Sequence, residues 1–488
     1  LKRRLLKQNS WPNTYWADVR LWNPKKQTEH TQSLPFLLPH EYVHQLFERG
    51  DAEVLLSSAG LLQEDRLLLE AFAAKCEPAK DPTSILPVGL WSDGVPCNWD
   101  RSESVDLIVL TFPAFTGQWR NLRLPIVGIK KCFQLKRSTL DDAMAVVRWS
   151  LECLALGVFP RQRHDSQPLE KKRASLGGQP LPCGLLTQIR GDWKMMKELL
   201  ALPAHNERAG ICWKCPCAPD TMREVGSDAS WRGHYTQWDF MARFFQEGRH
   251  VSPVWGVPGF VLDVVRLDWL HVVDLGVAAD VLGNTLWLLQ KKCAGASVEK
   301  RLQNLFLKIQ EYYKRECVAD QLATLTETMV RKNAATPPKL KAKGAETRKL
   351  VPWVAAFSAE VLDSSSLQEE AATACCQALL RCYEAIEREP YRPEDLRTAA
   401  KQCALQYVAL EAFSGDGVQW RCKPKMHMFL HLAESTSSPK QTWCYRDEDF
   451  GGSAAGMIRS RGGWNTPTSS SAQILDKFRA RNDVPVIV

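Results

Sequence analysis

The stretch that most constrains the fold is residues 184–194, where an apolar run ends at Asp192 and a helical pattern follows at once. Such a run is typical of a buried strand, and an acid at its end projects from the rim of a sheet. Residues 85–94 repeat this design, with an apolar run that leads to Asp93. Two rim acids that lie far apart in the sequence indicate a metal-dependent phosphoryl-transfer site assembled from distant segments.

Composition limits the class of protein. The chain has 488 residues, of which 45% are hydrophobic and 24% charged, as in a globular protein of two or three domains or one domain with large insertions. Its 16 cysteines follow no disulfide framework, which favours a reducing compartment with free or metal-binding thiols. No long uninterrupted apolar stretch occurs, so the sequence predicts no membrane span. Because the chain begins at Leu1 rather than Met, we expect a fragment.

The charge balance allows two interpretations. Lys and Arg number 63 against 55 Asp and Glu, which gives a net charge of +8. A basic surface favours nucleic acid as a partner through neutralisation of phosphates. An ordinary basic protein would have the same composition.

The order of predicted elements indicates the fold class. Apolar runs predict strands at residues 85–90, 107–112, 122–129 and 185–189, and helical spacing predicts helices at residues 139–156 and 193–202. This order predicts an α/β fold with an RNase H-like core, a mixed sheet with flanking helices. In such a core the first and fourth strands are neighbours, so their acids would meet.

Further segments surround this core, among them a strand at residues 261–267 and a helix at residues 270–290. The predicted division is an N-terminal helical region (1–80), the first part of the core (81–202), a Cys/His zinc-binding-like insertion (203–250), a continuation of the core (251–290), a helical insertion (291–420) and a C-terminal core helix with a tail (421–488).

The Cys/His segment contains Cys212-Trp213-Lys214-Cys215-Pro216-Cys217. Two cysteines separated by two residues can bind one Zn²⁺ from a tight turn. The predicted ligands of a structural zinc site are Cys212, Cys215, Cys217 and His234, with His205 as an alternative. Free cysteines are the other interpretation, because the chain lacks a second Cys-X-X-Cys pair.

Two acidic motifs also have functional and structural interpretations. Asp268 and His271 would share one face of a helix that starts there, either as a functional pair or as a helix-start acid beside a structural histidine. Asp447, Glu448 and Asp449 open a helix or turn. One of them is a candidate third metal ligand, although acids at a helix start are also favoured by the helix dipole.

A basic and histidine-containing motif lies near the end of the chain. His427 and His431 are four residues apart, a spacing that can hold a metal on one face of a helix. A buried helix on which Lys423 and Lys425 face DNA is at least as good an interpretation.

In their order along the chain, these motifs resemble cut-and-paste DDE transposases. The order is Ser92-Asp93-Gly94, Arg190-Gly191-Asp192, the Cys-rich segment, Asp268-Trp269-Leu270-His271 and Arg446-Asp447-Glu448-Asp449. The closest resemblance is to the Kyakuja–Dileera–Zisupton (KDZ) and Plavaka group, with the CACTA group next, and it covers roughly residues 85–455. It implies an RNase H-like fold, a zinc-binding insertion and a DxxH signature after the second acid.

The resemblance also implies roles for individual residues. Asp93 and Asp192 match the first and second catalytic acids, and Glu448 is our choice for the third, with Asp447 and Asp449 as alternatives. These carboxylates would hold two catalytic Mg²⁺ ions, since Mg²⁺ prefers oxygen ligands.

The remaining roles concern the signature, the zinc and the DNA. Asp268 and His271 match the accessory DxxH signature, while Cys212 and Cys215 match the zinc pair. The residues expected to contact DNA phosphates are Lys194, Lys423 and Lys425.

The function that this resemblance implies is a nuclear DDE transposase that cleaves and joins double-stranded DNA at element ends and targets. A homo-oligomer and the absence of a membrane partner are further expectations. Two alternatives stay open: a catalytically inactive, transposase-derived DNA-binding protein, and an RNase H-like metal-dependent nuclease.

Overall fold

The structure is a computed structural model of the chain. It describes residues 11–481 except residues 51, 57–59, 116–121, 205, 208–209, 416 and 460–465. The chain divides into two compact units, each assembled from separate stretches of sequence. The first unit comprises Leu1–Ala204, Gln237–Arg266 and Cys444–Val488, and the second comprises His205–Thr236 and Leu267–Trp443.

All of the described strands belong to the first unit, whereas helices occur in both units. The strands are β1 Tyr15–Asn23, β2 Thr28–Phe36, β3 Leu86–Pro96, β4 Ser104–Thr111, β5 Leu124–Lys130 and β6 Gly184–Arg190. The α-helices are α1 Pro39–Glu48, α2 Ala52–Leu55, α3 Gln63–Lys75, α4 Ser138–Leu156, α5 Lys171–Ala174, α6 Trp193–Leu200, α7 Gln237–Gln246, α8 Ala278–Leu289, α9 Val298–Arg315, α10 Glu327–Val330, α11 Gly344–Val361, α12 Leu367–Glu387, α13 Pro393–Phe413, α14 Pro424–Ala433, α15 Tyr445–Arg459 and α16 Pro467–Arg481.

A four-stranded mixed sheet in the order β5-β4-β3-β6 lies at the centre of the first unit. β3, β4 and β5 are antiparallel neighbours, whereas β6 is parallel to β3. Every residue of β5 and β6 is buried, as expected for apolar strands covered on both faces. Helix α4 packs on β6, α15 on β3 and α16 on β5. The four predicted core strands and the mixed α/β class are confirmed.

The strand predicted at residues 261–267 is wrong. Leu262–Val264 forms a 3₁₀ turn instead. The backbone N–H of Leu262 donates to the side-chain oxygen of Gln237 at 2.8 Å, so a side-chain amide takes the place of a strand partner. The segment is joined to the sheet by a parallel bridge between Val265 and Ile189, and the backbone N–H of Arg266 donates to the carbonyl oxygen of Ile189 at 3.0 Å.

The predicted N-terminal helical region also contains a β-hairpin that the sequence patterns did not predict. β1 and β2 pair antiparallel along their whole length. The first seven residues of β1 alternate between buried and exposed positions, which is the pattern of a half-buried strand. At the turn, the side-chain oxygen of Asn23 accepts hydrogen bonds from the backbone N–H groups of Lys25 and Lys26.

The second unit is mainly helical. The helix predicted at residues 270–290 is confirmed as a π-helical segment, Leu270–Val277, that continues into α8. In the described part of the chain, Leu270–Lys292 is the one helix long and apolar enough to cross a membrane, with a mean hydropathy of 1.5. Because 89% of its most apolar window is buried within the protein, and a core helix passes the same test, this is weak support for a membrane span.

The division into two units cuts across the predicted segments. The predicted Cys/His insertion is split, since residues 205–236 belong to the second unit and residues 237–266 to the first. The C-terminal segment is likewise divided between residues 443 and 444.

Candidate functional site

The ends of β3 and β6 bring the segments with the two rim acids next to each other in the first unit. Trp91 pairs with Arg190, so Asp93 and Asp192 each lie two residues beyond the same cross-strand pair. A Cβ atom on Gly191 would lie only 2.6 Å from the carbonyl oxygen of Ser92. A glycine immediately before Asp192 therefore permits the close approach of the two strand ends. The expectation that the first and fourth core strands are neighbours is confirmed.

Asp192 has a local structural role. It is the N-cap of α6, and its carboxylate accepts a hydrogen bond from the backbone N–H of Met195 at 2.6 Å. Among the described residues, this is the one hydrogen bond to the Asp192 side chain, which is half-buried. A capping carboxylate satisfies one of the free N–H groups of a helix start. The predicted strand-to-helix edge is thus confirmed, and it has a structural explanation that does not require catalysis.

Helix α15 carries the three acids that are candidates for the third position. A Cβ atom on Gly451 would lie 2.8 Å from Val95 and 3.0 Å from Trp91, the residues two positions to either side of Asp93. Alternate residues of a strand lie on the same face, so α15 covers the face of β3 to which Asp93 belongs. Glu448 is three residues before Gly451 and therefore lies on the same side of this helix.

The three acids of α15 have different environments. Asp447 is fully buried, and its carboxylate forms ion pairs with Arg123 Nε at 2.7 Å and Arg190 Nη1 at 3.4 Å. Glu448 is half-buried and Asp449 is exposed. Because a buried acid that already neutralises two arginines is poorly suited to bind a metal, the structure favours Glu448 over Asp447.

The carboxylates of the first unit do not form a compact single-ion site. Within its described residues, no three His, Cys, Asp or Glu ligand atoms all lie within 4.8 Å of one another. The carboxylates of Asp93, Asp192 and Glu448 therefore do not all lie within 4.8 Å of one another, although the strand pairing and α15 bring their segments together.

A buried Cys/His cluster in the second unit can bind a metal. Cys212 and Cys215 come from a loop, and His427 and His431 come from successive turns of α14. The ligand atoms of all four residues lie within 4.8 Å of one another. His427 Nε2 lies 3.1 Å from Cys215 Sγ, and His431 Nε2 lies 3.2 Å from the same sulfur and 3.1 Å from His427 Nε2.

The surroundings of the cluster hold its ligands in place. The backbone N–H of Lys214 donates to Cys212 Sγ at 3.2 Å. The Trp231 ring contacts both imidazoles edge-on, with ring centroids 4.6 and 5.5 Å away. Glu434 lies 3.5 Å from His431 Nδ1 and also pairs with Arg232. A carboxylate beside the outer nitrogen of a metal-binding histidine is common in metalloproteins because it orients the ring.

The two thiols of the cluster differ: hydrogen bonds with Cys212 and Cys217 raise the pKa of Cys215, whereas the pKa of Cys212 is lowered. Burial opposes ionisation, but hydrogen bonds from Cys215, His427 and His431 hold the pKa of Cys212 well below its usual range. For His427, burial lowers the pKa, yet hydrogen bonds with Cys212 and Cys217 raise it overall to about 9. The thiolate is the form of cysteine that binds metals.

This arrangement differs from the predicted set of zinc ligands. Cys212 and Cys215 are in the cluster, but Cys217 and His234 are not among its four ligands. His234 is exposed, while the buried Cys217 thiol forms hydrogen bonds with Cys215 and His427 and therefore touches the cluster. His205 lies outside the described residues. The two members of the cluster that the prediction left out, His427 and His431, form a separate motif in the sequence, and their four-residue spacing was the available signal.

Asp268 and His271 form a pair at the start of a helix in the second unit. The Asp268 carboxylate accepts hydrogen bonds from the backbone N–H groups of Leu270 at 3.2 Å and His271 at 2.9 Å. His271 Nδ1 lies 2.5 Å from the same carboxylate. The predicted proximity is confirmed, and its local effect is to cap the helix and orient the imidazole.

The three lysines predicted to contact DNA differ in their environment. Lys194 is exposed on the first turn of α6. Lys423 Nζ forms an ion pair with Asp280 at 2.6 Å, and Lys425 Nζ donates to the carbonyl oxygen of His271 at 2.6 Å. Lys423 and Lys425 are half-buried, and both ammonium groups already have a partner inside the second unit, so a contact of either lysine with DNA stays a prediction.

Comparisons with known proteins add no family assignment: no protein-family model and no curated protein matches the chain. Functional inference therefore depends on the residues and on their geometry.

Proposed function

We propose that the first unit is an RNase H-like core that carries out phosphoryl transfer on double-stranded DNA, as in a KDZ- or Plavaka-like DDE transposase. The observation that carries this proposal is the parallel pairing of β3 with β6 beside an antiparallel β3-β4-β5 meander. An RNase H-like sheet has this order and these directions. The bridge between Val265 and Ile189 is in the position of a short fifth strand.

The acids at the sheet rim support the same proposal. Asp93 and Asp192 each lie two residues beyond the same cross-strand pair. Glu448 lies on the side of α15 that packs over β3. The oxygen donors of these acids fit Mg²⁺, which prefers carboxylates to thiolates and imidazoles. Two such ions would activate the attacking oxygen and stabilise the leaving oxygen of an in-line displacement at phosphorus. Asp192 would serve two roles, since its cap bond fixes the position of its carboxylate.

For the Cys/His cluster of the second unit, the metal that we propose is Zn²⁺ in a structural site. Around a tetrahedral zinc, sulfur and nitrogen ligands are roughly 3.3–3.8 Å apart. The separations of 3.1–3.2 Å require only small outward shifts of the ligand atoms. Four protein ligands leave no position for substrate, which is typical of a structural site.

The N-cap role of Asp192 favours a second candidate function, a transposase-derived protein that binds DNA without cutting it. In such a protein Asp192 would be retained for the start of α6 alone. Chromosomal DNA as the partner would imply a nuclear location for either candidate.

Nicking of supercoiled plasmid in Mg²⁺ tests the proposal. We expect wild-type protein to nick the plasmid, and Asp93→Asn, Asp192→Asn and Glu448→Gln each to reduce the rate by about 100-fold or more, because each removes a metal-binding charge. Asp449→Asn is the matched control, since it neutralises the exposed acid next to Glu448 and should keep nearly full activity. Nicking that persists in all three variants would exclude these acids, and wild-type protein that binds but never nicks would favour the second candidate.

A further inference from the structure

A basic groove lies in the first unit between the segment that follows β5 and helix α6. It has a volume of about 280 Å³. The charged residues along it are Lys131, Lys136, Arg137, Lys197 and Glu198. Lys194 lies one turn before Lys197 on α6 and is also exposed, so it extends the basic surface.

The charges of this groove are unbalanced. Its one lining carboxylate, Glu198, is already paired with Lys131 at 2.9 Å. Within the described part of the chain, Lys136, Arg137 and Lys197 have no ion-pair partner, and Lys194 has a longer-range electrostatic interaction with Asp106. Other cations of the same unit do have an ion-pair partner: Arg20 pairs with Asp142, and Arg173 with Glu41. Three exposed cations without an ion pair in the groove, with Lys194 beside it, indicate a polyanionic ligand.

The groove opens at the rim of the sheet where the acids lie. β4 is antiparallel to both β3 and β5, so the rim at which β4 begins is the rim at which β3 and β5 end. β6 is parallel to β3 and therefore ends at the same rim. Lys131, which follows β5, approaches Asp106 at 3.7 Å, and Asp106 is the cross-strand partner of Gly94, so this contact lies on the face of β3 opposite to Asp93. On the other side, α6 begins directly after Asp192. The groove thus borders the end of β3 and the start of α6, and Asp192, which precedes α6, connects it with the rim of the sheet.

We propose that this groove binds the sugar–phosphate backbone of duplex DNA and leads it to the carboxylates at the sheet rim. The inference rests on the proposed function and specifies its substrate surface. Lysine and arginine side chains on two facing segments suit a chain of phosphates, which they contact without reading base sequence. The apolar lining residue, Leu140, is buried, so the groove offers no exposed apolar side chain for insertion into a membrane.

The test compares two variants with the same net charge. The groove variant replaces the three exposed cations of the groove and Lys194 beside it: Lys136→Gln, Arg137→Gln, Lys194→Gln and Lys197→Gln. The control variant replaces four exposed lysines elsewhere in the first unit: Lys25→Gln, Lys26→Gln, Lys171→Gln and Lys172→Gln. Binding of a short fluorescent duplex is measured by anisotropy in Ca²⁺ at several salt concentrations, and circular dichroism checks the fold of each variant.

We expect the groove variant to bind at least about tenfold more weakly at roughly 0.1 M salt, and the slope of log K against log salt to decrease by about 3 to 4. The control variant should bind nearly as wild type does. Equal weakening in both variants, or none in the groove variant, would overturn the inference. It would also be overturned if polyglutamate displaced the duplex as efficiently as unlabelled DNA does.

Failure of this inference is distinguishable from failure of the proposed function. Binding is measured without turnover, whereas the acids at the rim are tested by nicking. A groove variant that binds like wild type, in a protein whose nicking needs Asp192, would exclude only the groove. Weakened binding in a wild-type protein that never nicks would support the groove and contradict phosphoryl transfer.

Discussion

Asp192 has a structural role as a helix N-cap and a proposed chemical role as a metal ligand. Substitutions that keep or remove the cap can separate these two roles. The Asp192 carboxylate caps α6 through the N–H of Met195. Asparagine is an equally good N-cap, whereas alanine cannot accept this bond. We therefore expect Asp192→Ala to destabilise the first unit by about 1 kcal/mol, a decrease of about 2–4 °C in its unfolding temperature, and Asp192→Asn to leave it nearly unchanged. Calorimetry of both variants checks this, and equal destabilisation would show that the charge contributes more than the cap.

Two adjacent acids of α15 are expected to separate stability from activity. Asp447 is fully buried between Arg123 and Arg190. Neutralising one member of a buried ion pair leaves an uncompensated charge and typically costs about 3–5 kcal/mol. We expect Asp447→Asn to lower the denaturant concentration at which the first unit unfolds, and Glu448→Gln to change it little. If Glu448→Gln destabilises the first unit more than Asp447→Asn does, our choice of Glu448 as the third acid is contradicted.

At the scale of elements, local patterns predicted the pieces of the core better than the contacts between them. The buried runs of β3 to β6 and the helical spacing of α4 are continuous in sequence, so they could be recognised without knowledge of their partners. The hairpin was missed because β2 begins with mostly polar residues, and its burial is confined to its last three positions. The segment at residues 261–267 has an apolar run, but the backbone N–H of Leu262 donates to the Gln237 side chain and not to a neighbouring strand.

The contact between the Cys loop and α14 gives a prediction about the metal. The cluster joins Cys215 to His427 across 212 residues of sequence, which no local spacing rule can reveal. We expect about one zinc per chain, lost in a Cys212→Ser, Cys215→Ser variant and in a His427→Ala, His431→Ala variant, because each removes two of four ligands.

Two control variants distinguish the observed ligands from the ones predicted from the sequence. His234→Ala and Cys217→Ser should keep the metal, since neither residue is among the four ligands. Metal analysis of the purified proteins provides the measurement. Zinc that is lost with His234 and retained without His427 would contradict the cluster.

At the scale of the whole molecule, each unit is assembled from stretches that are distant in sequence. The core of the first unit needs its last segment, because α15 packs on β3 and α16 on β5. The sequence indicated the acids and their order, yet it could not indicate which segments belong to one unit, since burial patterns are the same for any partner. Both candidate sites, the acids at the sheet rim and the Cys/His cluster, consist of residues from stretches that only the folded chain brings together.

Strand joining is the reaction that would distinguish the proposed transposase from a nuclease of the same fold. Both use rim carboxylates to cut DNA, but only a transposase positions a DNA 3′-hydroxyl as the attacking group on a second duplex. We expect wild-type protein in Mg²⁺ to join a labelled duplex, taken from the terminal repeats that flank its encoding DNA, to a target plasmid. Labelled plasmid on a denaturing gel measures the covalent product, and Asp192→Asn should abolish it while duplex binding is retained. Nicking by wild type without any joined product would instead identify a nuclease of the same fold, because cutting would then require water alone as the nucleophile.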